Sequence, residues 1–316
     1  MKKLLLAAAL ALAPAAGFAQ ADSTAPAASA AATGASLPDA DPALWVVRDD
    51  DTTIYLFGTF HLLDGRPGFN DEVRAAFDAS DELVLEARLP ENPAEMQPLV
   101  MRYAVAPEGP PLSERLSAEQ YAALNGIVTS VGAPAGAFDG LKPWFVSISL
   151  PGIVAQQRLG LSPEHGAEMV LSAAARERGI EIGELEGIEW QFNMFDTMAD
   201  EQQIAMLRQA LDTLDDMEEQ LTPMLAAWST GNVDSLVTMM NRTLTESPEL
   251  YRMLFTDRNA TWAGWIEERM ARPGTVFVAV GAGHLAGDHS VLNRLEARGL
   301  ATERVPHDEG EEATAS

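Results

Sequence analysis

The sequence predicts an α/β fold: a mixed central β-sheet with flanking helices and a large helical insertion between the N- and C-terminal strands. Three observations predict this class. Runs rich in β-branched and aromatic residues at 44–57 and 275–280 are typical of strands. Residues 189–272 carry apolar side chains at spacings of three and four, as amphipathic helices do. A strand, a helix and another strand follow one another before residue 90, which favours a crossover between parallel strands.

The first elements are defined by turn and capping residues. Residues 44–47 and 53–57 flank the polar turn 49–51 and predict a β-hairpin. Asn70 is a suitable N-cap for a helix through Ala79. The run ELVLE then predicts a short buried strand that ends at Glu86.

The later elements follow from capping boxes, prolines and periodicity. In chain order they are a helix at 117–131, a helix from 143, a helix from 163 to about 178, a strand at 181–185, the helical block at 189–272, a strand at 275–280 and a helix at 290–298.

Charge and composition exclude several classes of function. The 316 residues include 47 acidic and 21 basic side chains, a formal net charge of −26. No basic stripe is present, so nucleic acid is not expected as a partner. The chain has no cysteine, which excludes disulfides, thiolate metal sites and a cysteine nucleophile. Any metal must therefore be held by His, Asp or Glu.

The termini predict export. Lys2 and Lys3 precede an apolar run and a stretch of small residues, so residues 1–21 are interpreted as a cleaved signal peptide. We therefore expect a periplasmic or secreted protein with no transmembrane anchor after cleavage. Residues 22–41 predict a flexible linker, 42–306 the folded domain and 307–316 an acidic tail.

Two of the five histidines follow strands and glycines in the same arrangement. Gly58 precedes His61 by three residues, and Gly281 precedes His284 by three. Glycine permits an otherwise strained backbone and lets the chain pass close to a ligand. Ligands of open α/β sheets lie beyond the carboxyl ends of the strands, so the two histidines can converge on one pocket if their strands are neighbours.

Glu86 is expected in the same pocket, since it lies at the carboxyl end of an apolar strand. Two imidazoles and one carboxylate predict an open divalent-metal site with room for water. Such a metal polarises a carbonyl and lowers the pKa of water. The residues leave open whether the ion is manganese, cobalt or zinc, and whether Glu86 is a ligand or a general base.

The motifs resemble, in order, those of the TraB/GumN family, which is related to the Tiki metalloproteases and to the wider ChaN/EreA-like superfamily. The resemblance covers about 42–306 and rests on LWVVRDDDTTIYLFGTFHLLDG, ELVLEA, ELEGIEWQ, the pair RN at 258–259 and VFVAVGAGHLAGDHSVLNRLEARGL. It implies a peptidase-like, metal-dependent hydrolase of peptides or other small substrates. His61, His284 and Glu86 match the family's proposed metal and catalytic residues.

The resemblance also assigns residues around the metal. Arg258 matches a family arginine whose planar guanidinium can orient a carboxylate or stabilise a developing oxyanion. Glu186 is interpreted as a second carboxylate in the pocket or as a structural cap. Asn259 is expected to set a turn or to hydrogen-bond the site. We predict that these three residues contact substrate. Gly187 stands where the family usually has threonine, so a role for that hydroxyl is not expected.

Other functions are weighed against the hydrolase. A haem- or iron-binding role, as in the distantly similar ChaN-like proteins, would use the same histidines without hydrolysis, and a third possibility is a protein that binds a peptide without cleaving it. Gly281, Gly283 and Ala286 fit the glycine fingerprint of a dinucleotide-binding site. Only about thirty residues follow it, too few for the rest of a dinucleotide-binding half, so this function is not expected. His165 and His289 are predicted to be surface residues, and His307, at the start of the acidic tail, is expected to have no ligand role.

Overall fold

A computed structural model describes residues 40–65, 69–90, 92–244 and 247–307 of the chain. The predicted signal peptide lies outside the described residues. So do residues 22–39 of the predicted linker and residues 308–316 of the predicted acidic tail. The assignments of these segments stay predictions.

The core of the domain is one mixed six-stranded sheet, which confirms the predicted fold class. Its strands lie in the order β4-β3-β5-β2-β1-β6. Strands β2, β5, β3 and β4 are parallel, whereas β1 is antiparallel to both of its neighbours. The strand bounds are β1 (Leu44–Arg48), β2 (Thr52–Thr59), β3 (Glu82–Leu85), β4 (Glu181–Glu184), β5 (Gly274–Gly281) and β6 (Glu303–Arg304).

The register of the parallel strands brings their carboxyl ends to one edge of the sheet. Thr59 of β2 lies opposite Gly281 of β5, and Leu85 of β3 lies opposite Ala279 of β5. Strand β5 therefore sits between the two strands that precede His61 and Glu86, which is the adjacency that the predicted site requires.

Both faces of the sheet are covered, as expected for parallel strands. Along β5, Val276 and Val278 face one hydrophobic cluster, while Phe277 and Ala279 face another. Side chains alternate between the faces because successive residues of a strand point in opposite directions. Trp262 is 1% exposed and belongs to the first of these clusters, so its helix covers that face.

Helices fill the connections between strands, and the predicted helical insertion is confirmed. The α-helices are α1 (Asp71–Asp78), α2 (Gln97–Leu99), α3 (Leu112–Arg115), α4 (Ala118–Ser130), α5 (Pro143–Leu159), α6 (Ala167–Arg178), α7 (Ile188–Asp196), α8 (Asp200–Asp212), α9 (Met217–Ser229), α10 (Val233–Leu244), α11 (Pro248–Tyr251), α12 (Asp257–Met270) and α13 (Val291–Glu296). Among the described helices, none has both the length and the apolar character needed to cross a bilayer.

One helix start differs from the prediction. Pro163 begins a 3-10 turn, Pro163–His165, and α6 begins only after Gly166. A Cβ at Gly166 would lie 2.3 Å from the carbonyl oxygen of His61, so only glycine fits there. The close approach fixes the first turn of α6 against the end of β2, where Ala167 N donates to Phe60 O at 3.1 Å.

Candidate functional site

The structure brings the three predicted metal-binding side chains together. His61 follows β2, Glu86 follows β3, and His284 lies in the 3-10 turn Ala282–Leu285 after β5. A Cβ built at Gly281 would lie 3.4 Å from His61 Nε2, 3.6 Å from Glu86 Oε2 and 3.6 Å from His284 Cδ2. The absence of a side chain at Gly281 thus leaves a cradle that all three groups border.

Of the two roles expected for Gly58 and Gly281, a strained backbone and a close approach of the chain, the structure contains only the second. Gly58 lies within β2, and neither Gly58 nor Gly281 is among the described glycines with positive φ, so the predicted strained turns are wrong. The structure does contain the close approach between Gly58 and the turn after β5. A Cβ at Gly58 would lie 3.0 Å from Cα of Ala282, so glycine there lets the turn that carries His284 pack against β2.

His284 is held as a neutral imidazole. The Asn259 amide nitrogen donates to the His289 carbonyl at 2.8 Å, which directs the Asn259 oxygen to His284 Nδ1 at 2.6 Å. His284 Nδ1 is therefore the donor, and the lone pair is on Nε2. Burial, aided by the charge of Arg258, lowers the pKa of His284 to about 3. Trp262 lies against the ring, with centroids 4.3 Å apart.

His61 is oriented by a carboxylate that the sequence did not reveal. Its Nδ1 lies 2.5 Å from Oε1 of Glu168, on the first turn of α6, and the Thr59 hydroxyl also donates to this oxygen. Burial by itself would lower the pKa of His61, but the charge and hydrogen bond of Glu168 outweigh it and raise the pKa. Because Nδ1 faces Glu168, Nε2 is the nitrogen that faces Gly281.

Glu86 is a buried, ionised carboxylate. It is 5% exposed and accepts hydrogen bonds from Arg258, from Gln191 Nε2 at 3.0 Å and from Gly281 N at 3.3 Å. Burial would raise the pKa of Glu86, but the charge of Arg258 overcomes this and holds the pKa at about 2. Oε1 takes the bonds from Arg258 and Gln191, so Oε2 is the oxygen directed at the cradle.

Arg258 pairs with two buried carboxylates. Its Nε lies 3.0 Å from both oxygens of Glu186, and its Nη2 contacts Glu86 and lies 2.8 Å from Glu186 Oε2. Nη1 donates to the Leu254 carbonyl at 3.1 Å, and the guanidinium lies over the Trp262 ring. Burial opposes the charged form, but Glu86 and Glu186 raise the pKa of Arg258.

Glu186 and Asn259 lie in the same cluster. Glu186 also accepts from Trp262 Nε1 at 2.9 Å and from Gln191 Nε2 at 3.4 Å. Burial raises the pKa of Glu186 above its usual range despite the contact with Arg258. The side-chain contacts of both residues described above are with other protein groups, so their contact with substrate stays a prediction. Gln191, on α7, is a further site residue to which the sequence assigned no role.

The donor set fits a divalent cation. Two imidazoles have their Nδ1 atoms held by a carboxylate and by an amide oxygen, as metal-binding histidines usually do. Their Nε2 atoms and an ionised carboxylate are the remaining donors. His284 Nε2 lies 3.8 Å from Glu86 Oε2, but among the described residues the three ligand atoms do not form a group that lies within 4.8 Å of one another. Arg258 Nη1 also lies 3.5 Å from His284 Nε2.

A second group of potential ligands lies elsewhere. Within the described residues, Asp41, Glu72 and His307 are the group of three whose ligand atoms all lie within 4.8 Å of one another. His307 Nδ1 is 3.1 Å from Asp41 Oδ1 and 3.2 Å from Glu72 Oε2, so one imidazole nitrogen lies between two carboxylates. His165 and His289 are exposed, as predicted, and His307 is exposed as well.

A cleft opens from the site to solvent. It encloses about 670 Å³, including space open to solvent, and its lining includes His61, Glu86, Glu168 and Gln191. His61 and Glu86 are thus reachable from outside.

Comparison with known proteins gives one family. A model of the TraB/PrgY/gumN family matches residues 43–304. The uncharacterized protein YbaP of Escherichia coli (strain K12) is 27% identical over 261 residues, which cover 80% of this chain and 92% of that protein. The uncharacterized protein YbaP of Shigella flexneri is 31% identical over 194 residues, 61% of this chain and 71% of that protein. No solved structure matches significantly.

Proposed function

This chain belongs to the TraB/PrgY/gumN family, as its motifs predicted, and from that premise and the site geometry we propose that it is a metal-dependent, peptidase-like hydrolase. The N-terminal sequence supports action in the periplasm or outside the cell. One observation carries the proposal: His61, His284 and Glu86 come from three adjacent parallel strands and border one cradle at Gly281.

His61 Nε2, His284 Nε2 and Glu86 Oε2 would hold the ion. A divalent cation there supplies a Lewis acid that polarises a carbonyl and favours ionisation of water. The overall reaction adds the water oxygen to the carbonyl carbon, breaks the carbon–nitrogen bond and transfers a proton to the departing amine. In this proposal Glu86 Oε2, which borders the cradle and accepts from Gly281 N, either binds the ion or carries that proton.

The surrounding residues keep these donors in place. Glu168 and Asn259 hold the two imidazoles by Nδ1, which fixes the direction of each Nε2. Arg258 keeps Glu86 ionised and fixes its Oε1, so in this proposal Arg258 acts first as a positioning residue. Burial of these contacts limits competition from water.

The test is a metal-dependent cleavage assay on the secreted form of the chain. Protein treated with chelator should not cleave a mixture of peptides, and manganese, cobalt or zinc should restore cleavage. His61→Ala and His284→Ala should abolish it while the far-UV circular dichroism and the melting temperature stay close to those of the parent. His165→Ala is the matched control, because His165 is exposed and does not line the site cleft.

Two results would count against the hydrolase. One is the lack of cleavage with all three ions by protein that is folded. The other is full activity in both histidine variants. A Soret band on addition of haem, without any metal-dependent cleavage, would favour the haem-binding alternative.

A further inference from the structure

Two buried polar side chains, Gln191 and Ser172, line the cleft beside the site. They are 2% and 5% exposed. Across the described part of the chain, neither Gln191 Oε1 nor Ser172 Oγ takes part in a hydrogen bond. Buried polar atoms are almost always hydrogen-bonded, so each of these two atoms is expected to bind solvent or a ligand.

Both atoms are open to the cleft. Among the described residues, the enclosed side-chain nitrogens and oxygens that have no hydrogen-bond partner are Trp144 Nε1 and Arg294 Nε. Gln191 Oε1 and Ser172 Oγ are not enclosed in this way and therefore contact solvent. Since both side chains line the cleft, the solvent that they contact is in the cleft.

Gln191 offers only an acceptor to a ligand. Its Nε2 donates to Glu86 Oε1 at 3.0 Å and to Glu186 Oε2 at 3.4 Å. Glu86 is paired with Arg258, and an ionised carboxylate can only accept hydrogen bonds, so the nitrogen of the amide faces Glu86. The other polar atom of the amide, Oε1, accepts hydrogen bonds and cannot donate them. The Ser172 hydroxyl can do both.

The two atoms belong to residues that adjoin the proposed ion-binding groups. Gln191 contacts Glu86 directly. Ser172 follows Glu168, which contacts His61, by one helical turn, and residues four apart are neighbours on a helix. An ester oxygen or an anion opposite Gln191 Oε1 would bring two acceptors together, whereas a peptide N–H would satisfy that oxygen.

We infer that Gln191 and Ser172 bind the backbone of the substrate next to the cleaved bond: Gln191 Oε1 accepts a peptide N–H, and the Ser172 hydroxyl donates to a peptide carbonyl. The inference rests on the proposed hydrolase and names its substrate class, which is secondary amides rather than esters or phosphoesters. It also gives Gln191 two separate roles, because the nitrogen of the same amide holds Glu86.

Replacement of single backbone N–H groups tests the inference in metal-free protein, where no turnover is needed. The probe is N-acetyl-Leu-Leu-Leu-Leu amide, since Leu85, Leu89 and Ile188 also line the cleft. Four analogues each carry an ester oxygen in place of one leucine N–H. Isothermal titration calorimetry in chelator measures the five affinities. The analogue that lacks the N–H bound by Gln191 should bind about tenfold more weakly than the peptide, as the loss of one hydrogen bond allows.

Substitution of Gln191 should remove this difference. Gln191→Met has nearly the same length but no acceptor, so the peptide should bind about tenfold more weakly and that analogue should lose nothing further. A purely structural effect of Gln191→Met would weaken all five probes by the same factor and leave the ester difference intact. Ser172→Ala should weaken the probes about threefold while the ester difference stays. Gln157→Met is the matched control, because Gln157 is exposed, hydrogen-bonds to Ser130 and does not line the cleft.

The outcomes separate the two proposals. Equal affinity for the peptide and all four analogues, an ester difference that persists in Gln191→Met, or no detectable binding of any probe would overturn the backbone-binding role even if the protein cleaves peptides. An ester difference that depends on Gln191, in protein that cleaves nothing, would support that role and count against the hydrolase.

Discussion

Replacing Arg258 with methionine removes the cation that pairs with both buried carboxylates of the site. The side chains of Arg258, Glu86 and Glu186 are 6%, 6% and 7% exposed. Removing one partner of a buried ion pair typically costs about 3–5 kcal/mol because the other charge stays buried without compensation. Domains have total unfolding free energies of about 5–15 kcal/mol, so this loss is a large fraction.

The loss should depend on pH, with a sign fixed by the pKa shifts. Burial would raise the pKa of Glu86 from its ordinary 4.5, but the charge of Arg258 holds it at about 2. The parent therefore gains stability from Glu86 above pH 4.5, about 3 kcal/mol, and loses it as the pH falls toward 2. Without Arg258, burial dominates and places the folded pKa above the unfolded one. Glu86 then destabilises the variant as the pH rises through that value, and Glu186, whose pKa burial already raises, acts in the same direction.

Urea unfolding in the presence of chelator at pH 5 and pH 8 measures the effect. Relative to the parent, Arg258→Met should lose about 3–5 kcal/mol at pH 8 and less at pH 5. Arg258→Lys, which keeps the charge, should lose less at pH 8. The double variant Glu86→Gln/Arg258→Met should recover part of the loss at pH 8, and it gives a measurable protein if the single variant does not fold. A loss below about 1 kcal/mol that is the same at both pH values would refute the reasoning.

Three further substitutions probe the cradle and the groups that orient it. Gly281→Ala places a methyl between His61 and Glu86 at ordinary contact distances. Calorimetric titration with Zn²⁺ should therefore show weaker binding, while the melting temperature stays nearly unchanged. An unchanged Zn²⁺ affinity would contradict the cradle. Glu168→Gln keeps the shape of the His61 contact but not its charge, and should weaken Zn²⁺ binding about 10–100-fold. An unchanged Zn²⁺ affinity in that variant would remove Glu168 from the site. Asn259→Asp should raise the pKa of His284 in metal-free protein, because a carboxylate then faces Nδ1; an NMR titration that shows no change would contradict the assigned tautomer.

The sheet was predictable because its signals are local. The β-branched runs that became β2 and β5, and the helical period of the block before β5, depend only on neighbouring residues. The convergence of His61, His284 and Glu86 followed from a general rule, that the carboxyl ends of parallel strands meet at one edge. Strand β6 was not predicted. It has only two residues, without a β-branched run, and it is defined by its pairing with β1.

Two of the groups that orient the site, Glu168 and Gln191, were not predictable from the sequence. Glu168 reaches His61 because Gly166 lets α6 pack against the end of β2, and that contact joins residues more than a hundred positions apart. Gln191 contacts Glu86 only because α7 follows the edge strand β4. The sequence placed Arg258 near substrate, whereas tertiary packing surrounds its guanidinium with Glu86, Glu186 and the Leu254 carbonyl.

The most direct test of the account is a metal-binding titration of folded, metal-free protein, followed by elemental analysis. We predict that the parent binds a single manganese, cobalt or zinc ion per chain, and that His61→Ala and His284→Ala each lose this binding while His307→Ala keeps it. Binding that survives both site substitutions but is lost in His307→Ala would place the ion at the Asp41–Glu72–His307 group and contradict the account, as would a folded parent that binds none of the three ions.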